Sequence, residues 1–363
     1  MVGGFGCIQA KVLILLLFSF NHGLVQGKNT KVGASKGCDL FQGSWVLDES
    51  PNLNPYNSSQ CSFIEKQFDC EKNGRADDDY LKYRWQPKHC ALPRFDARSF
   101  LLKMKNKKMM FIGDSLSLNQ WQSLTCLLHV GEPNAKYTLQ RFGPVSNFSF
   151  PAYNVSIFLF RAAFLVDLVR QDDDIRVLKL NSISNGTQWK EMDVLIFDSW
   201  HWWLHTGRKQ NWDIVEDGNV TYADGDRMKM YEKALHTWAT WVEDEVNTTK
   251  TKVFFQGVSP DHDRVRTSKS GNCTGVTRPT RVPQKPHPGE LVLEKVVRTM
   301  SKPVYLLNIT SMSQYRQDGH PSVFGVGGHN DLDCTHWCLP GVPDTWNQLL
   351  YTSLFIQSYK DNK

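Results

Sequence analysis

The chain has 363 residues, of which 40% are apolar and 22% charged. That balance supports a sizeable core and excludes global disorder, and the length suits one large domain or two small ones. A formal charge of +5, with no basic run beyond Lys103, Lys105, Lys107 and Lys108, gives no footprint for nucleic acid.

In chain order, Lys11 precedes the apolar run Val12 to Phe20. A membrane span takes about 20 residues, so this shorter run fits a secretory leader. Residues 1–27 therefore read as a signal peptide or a short signal anchor. If uncleaved, this segment would be the chain's only membrane contact. Residues 28–37 are small and polar and read as a linker. The cysteines agree with export. Cys7 lies in the leader, and Cys38, Cys61, Cys70, Cys90, Cys126, Cys273, Cys334 and Cys338 make an even set. Such a set reads as up to four disulfides whose pairing spacing does not give. The spacings lack paired zinc-ligand motifs, so no metal is expected. Sequons at Asn57, Asn147, Asn154, Asn185, Asn219, Asn247, Asn272 and Asn308 also suit a glycosylating secretory pathway.

Residues 38–95 are rich in Cys, Pro, Asn and aromatics, and read as loops and short strands tied by disulfides, without a core of their own. Residues 96–363 carry an α/β pattern. Lys108–Ile112 is a short apolar run ending in a glycine turn, and Asp114 or Ser115 can cap the helix that follows, which carries Leu116, Trp121, Leu124, Leu127 and Leu128. Further strands are expected at 193–197, 253–258 and 304–308. Helices are expected at 228–246, around 290–299, and from Asp344 onward. Apolar strands alternating with helices predict a parallel sheet covered on both faces.

Ligands collect beyond the carboxyl ends of such strands. Gly113-Asp114-Ser115 follows the first strand, and Asp333-Cys334-Thr335-His336 precedes the last helix. A serine in a strand-to-helix turn is a candidate nucleophile. An aspartate three residues before a histidine supplies a base and its orienting partner from one loop. Ser115, Asp333 and His336 thus form a candidate catalytic set. The N-terminus of the helix after Gly113 can place backbone N–H groups where an oxyanion forms. Trp200, His201, Trp202 and Trp203 concentrate aromatic faces that suit sugar rings, or else a core. His262, His320 and His329 are alternative bases, each without an Asp three positions ahead.

Several stretches resemble the plant trichome birefringence-like family, whose catalytic region belongs with the plant esterase branch of the SGNH/GDSL superfamily. They are Cys38-x-Leu-Phe-x-Gly-x-Trp45, Tyr83-Arg-Trp-Gln-Pro with Cys90-x-Leu-Pro-Arg-Phe-Asp96, Gly113-Asp-Ser-Leu with Asn119-Gln-Trp-x-Ser-Leu-x-Cys126, His201-Trp-Trp203, Asp318-Gly-His-Pro-Ser322, Asp333-Cys-Thr-His-Trp-Cys-Leu-Pro-Gly341 and Pro343-Asp-Thr-Trp-Asn347. The resemblance covers nearly everything after the leader. It implies an SGNH-like three-layer αβα fold with a central parallel sheet, a disulfide-tied N-terminal segment and a smaller lobe. It also implies an O-acetyltransferase acting on cell-wall polysaccharide in the Golgi lumen or at its membrane. Xylan is the first acceptor to test. The backbone N–H groups of Ser115 and a neighbouring glycine, Gly113, are implied as the oxyanion candidates. No bound cofactor is implied; an acetyl donor enters as co-substrate. Secretion to the wall is the alternative location. Two departures stand out. Ser117-Leu118 replaces a common Gly-Arg, and Asp198 stands where members often carry Asn. An amide can donate to an oxyanion and an ionised carboxylate repels one, so Asp198 is left out of the catalytic set. The rival readings are an acetylesterase on pectin or xylan with the same triad, and a non-catalytic wall-polymer-binding protein.

Overall fold

The computed structural model describes Met1 and residues 38–50, 55–263, 271–282, 284–325 and 332–355. The leader and linker expectations, and His329, lie outside the described residues. Among the described residues no helix is long and apolar enough to cross a membrane.

The first elements are an antiparallel ribbon, β1 (Gly43–Leu47) and β2 (Tyr83–Pro87), with Trp45 opposite Trp85. Next come α1 (Ala97–Lys103), capped by Asp96, then β3 (Lys108–Gly113) and α2 (Ser115–Gly131). A meander of β4 (Thr138–Phe142), β5 (Val145–Phe150) and β6 (Val155–Arg161) follows. The chain continues through β7 (Asp167–Arg170), β8 (Arg176–Lys179), β9 (Val194–Phe197), β10 (Ile214–Asp217) and β11 (Val220–Tyr222). It closes with α3 (Arg227–Glu245), β12 (Lys252–Gln256), α4 (Pro288–Thr299), β13 (Val304–Leu307), α5 (Thr310–Gln314) and α6 (Val342–Phe355).

The main sheet has seven strands in the order β13-β12-β9-β3-β6-β5-β4. The five from β13 to β6 run parallel, and β5 and β4 add an antiparallel edge. Strands buried on both faces read as continuous apolar runs, and β3 (KMMFIG) is one, with only Lys108 exposed. Its side chains alternate between two cores. Met109 and Phe111 join Val194 and Ile196 of β9 under α1, α2 and α6. Met110 and Ile112 join Leu195 and Phe197 under α3 and α4. This is the expected αβα sandwich. A smaller sheet, β11-β10-β8-β7, packs on the second core through Leu178 and Val215.

The sequence pattern gives no strand between residues 128 and 193, yet β4 to β8 lie there. Most of these strands are short or only half-buried, so their period-2 signal is weak, although β6 (VSIFLFR) is a longer, largely buried run. The four disulfides are Cys38–Cys90, Cys61–Cys126, Cys70–Cys338 and Cys273–Cys334. From β3 the chain steps first to β6 on one side and then to β9 on the other. The crevice beyond β3 is therefore a topological switch point.

Candidate active site

Ser115 is the first residue of α2, directly beyond β3, and is half-buried. The turn is tight. Asp114 takes an extended conformation as N-cap, and its Oδ1 accepts the Leu116 N–H at 2.8 Å. Gly113 leaves no room for a side chain, since a Cβ there would lie 2.4 Å from both the Asp198 carbonyl oxygen and Ser117 Oγ. Gly113 also ends β3 paired with Arg161, and its carbonyl accepts the Ala162 N–H. Sheet pairing and close approach account for this glycine, which leaves the Ser115 N–H, at a helix N-terminus, as the oxyanion candidate.

The candidate base comes from the loop before α6. Asp333 Oδ1 accepts the backbone N–H groups of Thr335 at 3.0 Å and His336 at 2.9 Å, folding the loop around the carboxylate. Its Oδ2 lies 2.8 Å from His336 Nδ1. A carboxylate only accepts, so Nδ1 donates and Nε2 is the free acceptor. That Nε2 lies 2.7 Å from Ser115 Oγ, in line to take the hydroxyl proton. Burial pushes the Asp333 carboxyl up, but the hydrogen bond and charge of His336, with the two backbone donors, outweigh it and hold Asp333 well below the usual carboxylate range. Burial alone would lower His336; the bond to Asp333 and its charge, with Asp114 and Glu65 beyond, raise it above the ordinary imidazole value.

The loop is braced on every side. Disulfides at Cys334 and Cys338 bracket His336, tying it to Cys273 and Cys70. Asn119, one turn along α2 from Ser115, grips the next residue at both ends. Its Oδ1 accepts the Trp337 N–H at 2.7 Å, and its Nδ2 donates to the Trp337 carbonyl at 3.1 Å. The helix that carries Ser115 therefore also sets the register of His336. The Trp337 indole N–H donates to Ser259 Oγ at 2.9 Å, from the loop after β12. In the sequence Asn119 stands out only as part of the Asn119–Cys126 stretch that carries the family resemblance, with nothing there to mark this contact.

The alternative bases serve this loop instead. His320 Nδ1 donates to the His336 carbonyl at 2.6 Å, and its ring stacks on Trp337. His262 contacts His320 at 2.6 Å, and its backbone N–H donates to the Cys334 carbonyl at 2.8 Å. Both rings are buried.

The aromatic group divides. Trp200 and Trp203 are buried in the second core, against Tyr231, and Trp203 Nε1 donates to Ser199 Oγ at 3.0 Å. Neither offers a face to a sugar, which corrects the expectation for both. His201 and Trp202 remain half-exposed, and the His201 ring lies 6.4 Å from that of His336. Burial lowers the pKa of His201, which favours its neutral form.

A strand-to-helix serine on a doubly wound sheet, facing an Asp-x-x-His loop, is the arrangement of a GDSL-type acyl-esterase. Comparison with known proteins gives the same class. Residues 92–353 match the PC-Esterase family, a GDSL/SGNH-like acyl-esterase family found in Pmr5 and Cas1p, and residues 36–91 match the PMR5 N-terminal domain. The chain is 53% identical over 357 residues to protein trichome birefringence-like 43 of Arabidopsis thaliana, covering 96% of each chain. It is 50% identical to trichome birefringence-like 41 of the same plant, over 94% of each chain. Trichome birefringence-like 38 is 47% identical, over 90% of this chain and 86% of the relative. The chain belongs to the trichome birefringence-like family.

Proposed function

We propose that the chain is a polysaccharide O-acetyltransferase that carries acetyl on Ser115 and passes it to a sugar hydroxyl. Xylan is the acceptor to test first. The observation that carries this reading is the unbroken chain from Ser115 Oγ to His336 Nε2, at 2.7 Å, and from His336 Nδ1 to Asp333 Oδ2, at 2.8 Å.

The steps follow from proton positions. His336 Nε2 takes the Ser115 proton as Oγ bonds to the acyl carbon of the donor. The negative charge that develops on the acyl oxygen falls near the N-terminus of α2 and the Ser115 N–H. The tetrahedral species collapses, the donor's leaving group takes the proton from His336, and Ser115 keeps the acetyl group. A sugar hydroxyl then gives its proton to Nε2 and attacks the ester. Ser115 leaves and recovers the proton. Asp333 holds one tautomer throughout and stabilises the imidazolium. Each proton that leaves an oxygen returns to one, and these steps call on no bound cofactor.

His201 and Trp202 edge the crevice and are the residues proposed to meet the glycan. Four disulfides suit an oxidising compartment, which supports a lumenal location such as the Golgi.

The test incubates purified protein with an isotopically labelled acetyl donor and xylan oligomers, read by mass spectrometry. Acetylated oligomer from the wild type and none from Ser115→Ala is the expected result. Release of free acetate with no acetylated oligomer would replace transfer with hydrolysis.

A further inference from the structure

A second acidic pair lies beneath the nucleophile and takes no part in the steps above. Asp114 caps α2 through Oδ1, as described. Its Oδ2 and the Oδ2 of Asp198, just past β9, are both sealed from solvent. The two carboxyls contact each other, and Ser117 lies against Asp198. Only a glycine at 113 lets this first helical turn approach Asp198 so closely. Among the described residues no lysine or arginine forms an ion pair with either acid. The groups facing them are His336 and His201 across the crevice, His205 behind His201, and Tyr231 of α3 with Glu290 of α4 beyond it. Two ionised carboxylates cannot share such a site without a cation. One proton between them turns repulsion into a charge-assisted O–H···O bond.

We propose that Asp198 keeps its proton through the reaction and donates it to the Asp114 carboxylate, so that a single negative charge lies beneath the developing oxyanion. The inference rests on the Ser115 reading. Asp198 is then a positioning residue, holding the cap that presents the nucleophile without opposing its chemistry. Burial, followed by the charge of Asp114 and the bond to it, pushes Asp198 well above the usual carboxylate range, while Ser117 pulls the other way. Loss of this proton in alkali adds a second charge at the site and loosens the turn. Acylation of Ser115 then has two limbs. The acid limb belongs to His336, and the alkaline limb to the acidic pair.

The experiment labels Ser115 of the full chain with a fluorophosphonate across pH, for the wild type and Asp198→Asn. It adds infrared spectra of both in the carboxylic-acid region. Wild-type labelling should rise, level off, then fall by about tenfold per pH unit above the pair's apparent pKa. Asp198→Asn, whose amide donates the same bond with no proton to lose, should keep the acid limb and lose the alkaline fall. A protonated-carboxyl band present in the wild type at neutral pH should be missing from Asp198→Asn. An unchanged alkaline limb, or identical infrared spectra, overturns the proposal. If Asp198→Asn does not fold, Asp114→Asn retains a capping oxygen. It should move the alkaline loss of the wild-type band to lower pH, and an unmoved midpoint overturns the proposal. Failure of Ser115 to label at any pH defeats the triad reading instead, and the infrared comparison still decides the pair.

Discussion

In the proposed mechanism His336 can serve as a base because Asp333 faces its other nitrogen. Ser115→Ala removes the proposed nucleophile and His336→Ala the proposed base. Each should abolish the proposed transfer while the circular dichroism spectrum stays that of the wild type, because Ser115 and His336 are only half-buried. Asp333→Asn should lower turnover on the order of 10⁴-fold, since an amide can donate to Nδ1 and stabilise the wrong tautomer. The pH dependence follows from opposite shifts. His336 is raised, so the neutral base that accepts the Ser115 proton builds up only above the ordinary value of about 6.5. The acid limb of kcat/KM should lie above that value. A limb at or below it would mean that the Asp333 bond is not made in solution. Stability carries the same signature. The lowered Asp333 contributes above its unfolded value of about 3.9 and loses that contribution as pH falls through its folded value. The raised His336 contributes fully below about 6.5 and loses its share as pH rises through its folded value.

At the scale of elements, the site is a contract between α2 and the loop before α6. Asn119 makes that contact, with two hydrogen bonds to buried backbone of Trp337. Asn119→Ala strands both groups, at about 1–3 kcal/mol each. Chemical denaturation should therefore show a loss of about 2–6 kcal/mol, with a fall in kcat beyond what unfolding explains. The disulfide Cys273–Cys334 closes a separation of 61 residues beside Asp333. Its replacement by a pair of serines should cost about 2–4 kcal/mol. Where the protein is still folded, turnover should drop further, since a 1 Å drift of the base costs about 100-fold. Equal turnover in the folded fraction would mean that the neighbouring bonds hold the loop unaided. The sequence marks Ser115, Asp333 and His336 because each sits in a short local pattern whose chemistry depends on chain neighbours. Asn119, His262 and His320 escape such a reading, because their partners lie in another part of the chain. Trp200 and Trp203 mislead for the converse reason. An indole in a loop after a strand looks the same in sequence whether it faces a crevice or α3.

The whole molecule does not divide where its composition changes. The parallel strands β3, β9, β12 and β13 were legible as apolar runs and the main helices by their period. The Cys-rich segment before Asp96 gives little such pattern: beyond the short β1–β2 ribbon and the Cys38–Cys90 bridge, its apolar residues pack on the catalytic region. Phe63 and Phe68 are buried in the same core as Leu116 and Trp121 of α2, and Cys61 is bonded to Cys126 on that helix. Cys70 reaches across 268 residues to Cys338, two positions beyond His336, and the Phe68 ring rests on the His336 ring. Family matching separates residues 36–91 from 92–353, yet residues 35–363 form one compact unit. Residues 92–353 alone would expose the buried side of α2, leave Cys126 and Cys338 unpaired, and lose the ring behind the base. Apolar burial stabilises by about 25 cal/mol per Å², and folded domains hold only about 5–15 kcal/mol in reserve. Losing several large buried side chains and two crosslinks therefore exceeds what the remainder can absorb. Expressed in an oxidising compartment, residues 92–353 should be insoluble or lack a cooperative melt, whereas residues 35–363 should melt in one transition by calorimetry. A soluble 92–353 fragment whose Ser115 still reacts with a fluorophosphonate would show that the N-terminal segment is dispensable to the core and the site alike.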